Sequence, residues 1–152
     1  MKRLSILLGL ALIAACTPRI NTNPTTGGVD VDMEPITQSG QVWETTLSGS
    51  AGITGSSRAE VQDDHTMTTI SITGAQSGAV HPWHIHEGSC ASGGGIVGSA
   101  SAYPPLQVGT NGQGQAQAHV AVALNEARPY HINVHASPSD MGTIVACGDL
   151  DD

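Results

Sequence analysis

The sequence has few positive charges and few aromatic side chains. Its 152 residues include 5 Lys or Arg against 13 Asp or Glu, a formal net charge of −8, and they include 2 Trp, 2 Tyr and no Phe. An acidic surface repels the phosphates of nucleic acid, so the composition excludes a nucleic-acid partner. A core without Phe must be filled by smaller side chains, which bury less apolar area per residue.

The N-terminal segment has the pattern of an export signal. Lys2 and Arg3 precede the apolar run Ser5–Ala15 (SILLGLALIAA). A basic start, roughly 7–15 apolar residues and small residues at the end are typical of a secretory signal. The run is shorter than the about 20 apolar residues that span a bilayer. The sequence therefore predicts a signal peptide at residues 1–15.

The segment IAAC, which ends at Cys16, resembles the lipobox of bacterial lipoproteins, where the cysteine is lipidated and becomes the new N-terminus. The alternative is an ordinary cleavage site beside a chance cysteine. The resemblance implies an exported bacterial lipoprotein, periplasmic or on the cell surface, anchored to a membrane through its N-terminal lipid. Thr17 favours the outer membrane. Removal of residues 1–15 would leave three arginines against 13 acidic residues, a net charge of −10.

The rest of the chain divides into a tether and a β domain. Residues 16–40, rich in Pro, Thr, Asn and Gly, predict a lipidated N-terminus followed by a flexible tether. Hydrophobicity then alternates with period two in residues 66–73, 115–123 and 130–135. Short alternating strands separated by turn residues predict one all-β domain at residues 41–152, an antiparallel barrel or sandwich. The predicted inward residues are Ile70, Ile72, Ala116, Ala118, Val120, Val122, Tyr130, Ile132 and Val134.

Two cysteines remain once Cys16 is assigned to the lipid. An even pair in an exported, oxidising setting predicts a disulfide between Cys90 and Cys147. The loop it would close is long, and the chain-entropy estimate for such a loop is roughly 4 kcal/mol. Two free thiols or two soft metal ligands are the alternatives.

The histidines suggest a metal site. His84 and His86 are two residues apart, so on a strand both side chains point to the same face. His135 ends another alternating segment, which antiparallel folding can bring beside them. Three imidazoles favour copper or zinc over calcium or magnesium. A solvated strand edge is the alternative.

The other histidines receive plainer interpretations. His65 and His119 are predicted to be exposed on the surface. His131 shares a face with His135, but four residues along a strand span roughly 13 Å, which is too far for one ion unless the strand is bulged.

Several segments together resemble a known family. HPWHIHEG at residues 81–88, then Cys90, NVHAS at residues 133–137 and GTIVACG at residues 142–148 occur in the order found in copper/zinc superoxide dismutases. The resemblance covers roughly residues 66–149. The chordin-type domain, which also uses H-x-H-x-G and N-V-H, is the alternative, but the closing ACGD with a partner cysteine favours the dismutase family.

The resemblance implies a fold and a site. The fold is a Greek-key antiparallel β-barrel or sandwich of the superoxide dismutase type, with copper on its outer face. His84, His86 and His135 correspond to copper ligands. His81 corresponds to a histidine beside the ligands, and Cys90–Cys147 corresponds to the family disulfide.

Two departures from the family pattern concern function. Ala102, in SAYPPL at residues 101–106, stands where the family has the histidine that bridges copper and zinc, and no histidine lies between Cys90 and His119. Ile144 stands where the family has the arginine that guides superoxide, and residues 136–146 contain no Lys or Arg. We therefore expect a copper site without zinc.

Three functions remain open at this point. The first is dismutation of superoxide to oxygen and hydrogen peroxide with reduced efficiency. The second is a non-catalytic copper-binding or copper-chaperone role, with a copper donor as the partner. The third is a structural domain without metal, which retention of all three copper positions disfavours.

Overall fold

The computed structural model describes residues 40–151. The predicted signal peptide at residues 1–15, the lipidation of Cys16 and the tether up to residue 39 lie outside the described residues and stay predictions. Within residues 40–151, no helix is long and apolar enough to cross a membrane.

The regular secondary structure of the described chain is almost entirely β-strand, with two single 3₁₀ turns at Ser50–Gly52 and Ala100–Ala102. The strands are β1 (Val42–Gly49), β2 (Thr54–Gln62), β3 (His65–Thr73), β4 (Val80–His81), β5 (Trp83–Glu87), β6 (Leu106–Gln107), β7 (Gly114–Val120), β8 (Tyr130–Ser137) and β9 (Asp140–Leu150).

Seven strands form one antiparallel sheet in the order β5-β8-β9-β1-β2-β3-β7, which curls into a half-barrel, while β4 and β6 pair separately. The predicted all-β antiparallel architecture is confirmed. After β3 the chain crosses to the far edge of the sheet as β5 and then returns to pair β7 with β3. Long crossing connections of this kind are typical of Greek-key sheets. The crossing brings β5 beside β8, and these two strands carry the candidate metal-binding histidines.

The predicted alternation holds along β3 and along most of β7. Ile70 and Ile72 are buried, and so are Ala118 and Val120. The inward assignment of Val122 is wrong, since its side chain is 37% exposed. The physical reason is that β7 ends at Val120, where the chain turns and Val122 N–H donates to the Val120 carbonyl over 2.7 Å.

The few aromatic residues are all used in the core. Trp43 and Tyr130 meet edge-to-face with their ring centroids 5.6 Å apart, and Trp83 and Tyr103 do the same at 5.2 Å. All four side chains are buried. Edge-to-face pairs add about 0.5–1.5 kcal/mol each beyond their area burial, which partly offsets the small size of the surrounding Ala, Val and Ile side chains.

The predicted disulfide is confirmed. Cys90 and Cys147 are bonded, with their Cα atoms 6.0 Å apart and a sequence separation of 57. Cys90 lies in the loop after β5, and its N–H donates to the Asp149 carboxylate over 2.6 Å. The bridge and this hydrogen bond together hold the loop after β5 against β9.

Removal of the bridge should lower stability substantially. A Cys90→Ser/Cys147→Ser chain should lose about 4 kcal/mol of unfolding free energy, because the unfolded chain regains the entropy that the long loop had lost. Urea denaturation of the oxidised chain and of the double variant would measure this. A Cys16→Ser chain, which lacks a cysteine but keeps the bridge, is the matched control. Equal midpoints for all three would contradict the prediction.

Candidate metal centre

Strand β5 carries two histidines on one face because the side chains of its other face are buried in the hydrophobic core. Trp83 and Ile85 are fully buried, opposite Val134 and Ile132 of β8. His84 and His86 alternate with them and share the other face, as predicted. That face is also covered, since His84 and His86 are only 5% and 8% exposed.

His135 reaches the same place from β8. His84 lies directly opposite Asn133, so His135 is its diagonal neighbour on the same face. The pairing of β8 with β9 is irregular on both sides of His135. The backbone N–H of His135 donates to the Pro82 carbonyl over 2.8 Å. His84, His86 and His135 each offer a nitrogen, and these three atoms lie within 4.8 Å of one another. Antiparallel folding therefore does bring the third histidine beside the first two.

The nitrogen positions fit a bound ion. His84 Nδ1 and His135 Nε2 are 3.3 Å apart. Two nitrogens that bind one ion at about 2.0–2.1 Å with a tetrahedral angle stand about 3.3–3.4 Å apart. The observed separation is compatible with a metal ion shared by these two ligands, and without an ion it is also a hydrogen-bond distance between the two rings.

The third nitrogen is also prepared for a metal. His86 Nδ1–H donates to the Gly94 carbonyl over 3.0 Å, which leaves the lone pair of the neutral ring on Nε2. His86 Nε2 is buried and has no hydrogen-bond partner. A buried polar atom without a partner is unfavourable, and metal coordination would satisfy it. The three buried histidines could therefore hold a metal ion.

Burial keeps the three rings in the form that binds metal. It lowers the pKa of His84 to about 4, with further lowering by the neighbouring His135 and His86. Burial also lowers the pKa of His86, against an opposing effect of the Gly94 carbonyl, and the pKa of His135, against an opposing effect of the Met141 backbone. Neutral imidazole is the metal-binding form, so the rings stay competent below neutral pH.

His81 supports the cluster from behind. Its Nδ1–H donates to the backbone carbonyl of His135 over 2.9 Å, and its side chain is buried. It lies outside the three-histidine group and holds the strand segment that carries one of its members.

His131 contacts the centre in a way that sequence reasoning missed. It lies directly opposite His86 in the β5–β8 ladder, is fully buried, and stacks on the His86 ring with centroids 5.3 Å apart. The spacing of His131 and His135 along β8 gives no indication of this contact. The contact comes from the neighbouring strand, and the only signal for it is the register between β5 and β8.

The rim around the histidines is apolar. Ile96 forms an isolated bridge with His86, and Ile144 lies opposite His135. Both side chains are 39% exposed, as is that of Met141. Ala102, half-buried, packs against the core.

The cations in the described part of the chain form ion pairs. Within residues 40–151 these are Arg58, which pairs with Glu44 and Glu60, and Arg128, which pairs with Glu87.

No protein-family model matches the chain, and no curated protein matches it. The family suggested by the sequence motifs therefore stays a prediction.

The lowered pKa values predict a pH dependence of stability. His84 titrates near its ordinary value of 6.5 when unfolded and at about 4 when folded. Between these values the unfolded chain binds more protons, so the free energy of unfolding should fall as pH falls from about 6.5 to about 4 and then change little on this account.

Urea midpoints in metal-free buffer across this range would measure the effect. A His84→Gln chain should show a flatter curve, which separates the histidine from carboxylates that titrate nearby. Parallel curves for the two chains would contradict the prediction.

Proposed function

We propose that this protein is an exported, copper-binding lipoprotein related to the copper/zinc superoxide dismutases, and that it dismutates superoxide slowly without a zinc site. The observation that carries the proposal is the buried group of His84, His86 and His135, with two nitrogens 3.3 Å apart and a third without a partner.

The donor set favours copper. The group offers three neutral imidazole nitrogens. Cys90 and Cys147 form a disulfide and therefore offer no thiolate ligand. Imidazoles suit copper and zinc, and Cu(II) has the higher affinity of the two for a given site. The motifs that resemble the dismutase family lie on β5, β8 and β9, which are adjacent in the sheet. A disulfide in the same domain agrees with an exported setting.

The side chains around the group account for a slow reaction. Bound copper would supply the electron transfer, because it alternates between Cu(I) and Cu(II). The three histidines would hold the ion, and the exposed apolar residues Ile96 and Ile144 are paired with His86 and His135. A cationic approach can raise the association rate of an anion by about 10–1,000-fold. Superoxide would arrive here without that help, at a protein of strongly negative net charge.

The second candidate is copper storage or transfer without turnover. It is favoured by Ile96 and Ile144, two exposed apolar residues that are paired with His86 and His135, because exposed apolar side chains suit a protein partner better than a small anion. A copper donor would be that partner.

A copper-loading experiment tests the proposal. The full chain loaded with copper should accelerate superoxide decay in stopped flow above the rate of the metal-free chain. His135→Ala should lose the tightly held copper and the activity together, since it removes one of three ligands. Gln117→Ala, an exposed position on β7, is the control and should change neither. Tight copper without turnover would support the transfer role, and failure to retain copper would overturn both roles.

Restoring a cation at the rim should speed the reaction. Ile144→Arg should raise the dismutation rate by about 10-fold or more at low ionic strength, and added salt should reduce the gain. Ile144→Gln matches the loss of apolar character without the charge and should leave the rate unchanged. A rate for Ile144→Arg equal to that of Ile144→Gln would mean that encounter with superoxide is not what limits the reaction.

A further inference from the structure

A second group of potential metal ligands lies on the outer face of β3 and β7, at the opposite edge of the sheet from β5. His65 is the first residue of β3, directly after the turn at Asp63, whose φ is +43°. Buried Thr66 and Thr68 alternate with it, so His65 and Met67 share the outer face.

The pairing of β3 with β7 adds another histidine to this face. Met67 lies directly opposite His119, and His65 is therefore the diagonal neighbour of His119. The rings of His65 and His119 have their centroids 4.3 Å apart with a tilt of 39°. His119 is exposed, and the His65 side chain is 23% exposed, so an ion can enter from solvent.

A carboxylate orients the first histidine. Asp64 Oδ1 and His65 Nδ1 are 3.0 Å apart. A carboxylate only accepts hydrogen bonds, so Nδ1 carries the hydrogen and the neutral ring keeps its lone pair on Nε2. A carboxylate on the far nitrogen is the usual partner of a metal-binding histidine, because it sets the tautomer and raises the basicity of the ligand.

We propose that His65, Met67 and His119 form a second, exposed metal site that takes a copper ion, with Asp64 as the residue that positions His65. Two imidazoles and one thioether are soft or borderline ligands, which disfavours calcium and magnesium, and the thioether favours Cu(I). The site differs from the buried group in access, since its ligands lie at or near the surface. It is therefore suited to exchange copper with solvent, whereas the buried group is suited to retain it. The inference does not depend on superoxide chemistry.

Residue-specific NMR of the full chain tests this inference. Ring signals of ¹³C-labelled histidine, assigned by substitution, should move for both His65 and His119 when Cu(I) is added without oxygen, and again when Zn(II) is added alone. The same shifts should occur in a His84→Gln background, which separates this site from the buried group. No movement of either signal in any of these titrations would overturn the inference, whatever happens at the buried group.

Variants of the cluster refine the test. His119→Ala should abolish the shift of His65, and Asp64→Asn should weaken binding by about 10–100-fold. Met67→Leu, which nearly conserves volume, should weaken Cu(I) binding and leave Zn(II) binding unchanged. Gln117→Ala, two residues from His119 on the same face, is the matched control and should behave as the original chain. A His65 shift that persists in His119→Ala would show that the two rings do not share an ion and would overturn the site.

Discussion

The register between β5 and β8 is the constraint on which the candidate metal centre depends. Trp83 and Ile85 are fully buried opposite Val134 and Ile132, and their burial determines which face of β5 carries His84 and His86. A slip of one residue would turn every side chain of the strand to the other face. It would turn an indole toward the face that now carries the histidines and place imidazoles in the core. The hydrophobic pairs therefore hold the histidine cluster in place without contributing any ligand atom.

The loop after β5 completes the centre because it can pack unusually close to the strand. Gly94 supplies the carbonyl that accepts from His86, and a Cβ at this position would lie 1.9 Å from the Glu87 carbonyl oxygen. Gly88 has a φ of +89°, a conformation that side chains disfavour, and a Cβ there would lie 2.5 Å from the Gly93 carbonyl oxygen. Both positions therefore require glycine. Together with the disulfide at Cys90, the two glycines hold the loop in the conformation that places the Gly94 carbonyl against His86 Nδ1. The folded loop therefore sets the tautomer of His86.

Patterns within one strand were readable from the sequence, and contacts between distant strands were not. Period two correctly placed His84 with His86 and buried Ile70 and Ile72, and cysteine arithmetic found the disulfide. The stacking of His131 on His86 and the approach of His65 to His119 depend on which strands pair and in which register. Val122 was assigned inward because its alternation continues past the point where β7 ends. Strand ends depend on turns and neighbours that alternation does not encode.

The position of β9 has a consequence for how the chain acquires its structure. The last strand lies in the middle of the sheet, between β8 and β1, and carries one half of the disulfide. The sheet therefore cannot be completed, and the bridge cannot form, until β9 is available. Non-local pairing of this kind folds slowly. For a chain exported as proposed, this order of events would suit translocation, because the sheet and the disulfide could form only after β9 has crossed the membrane.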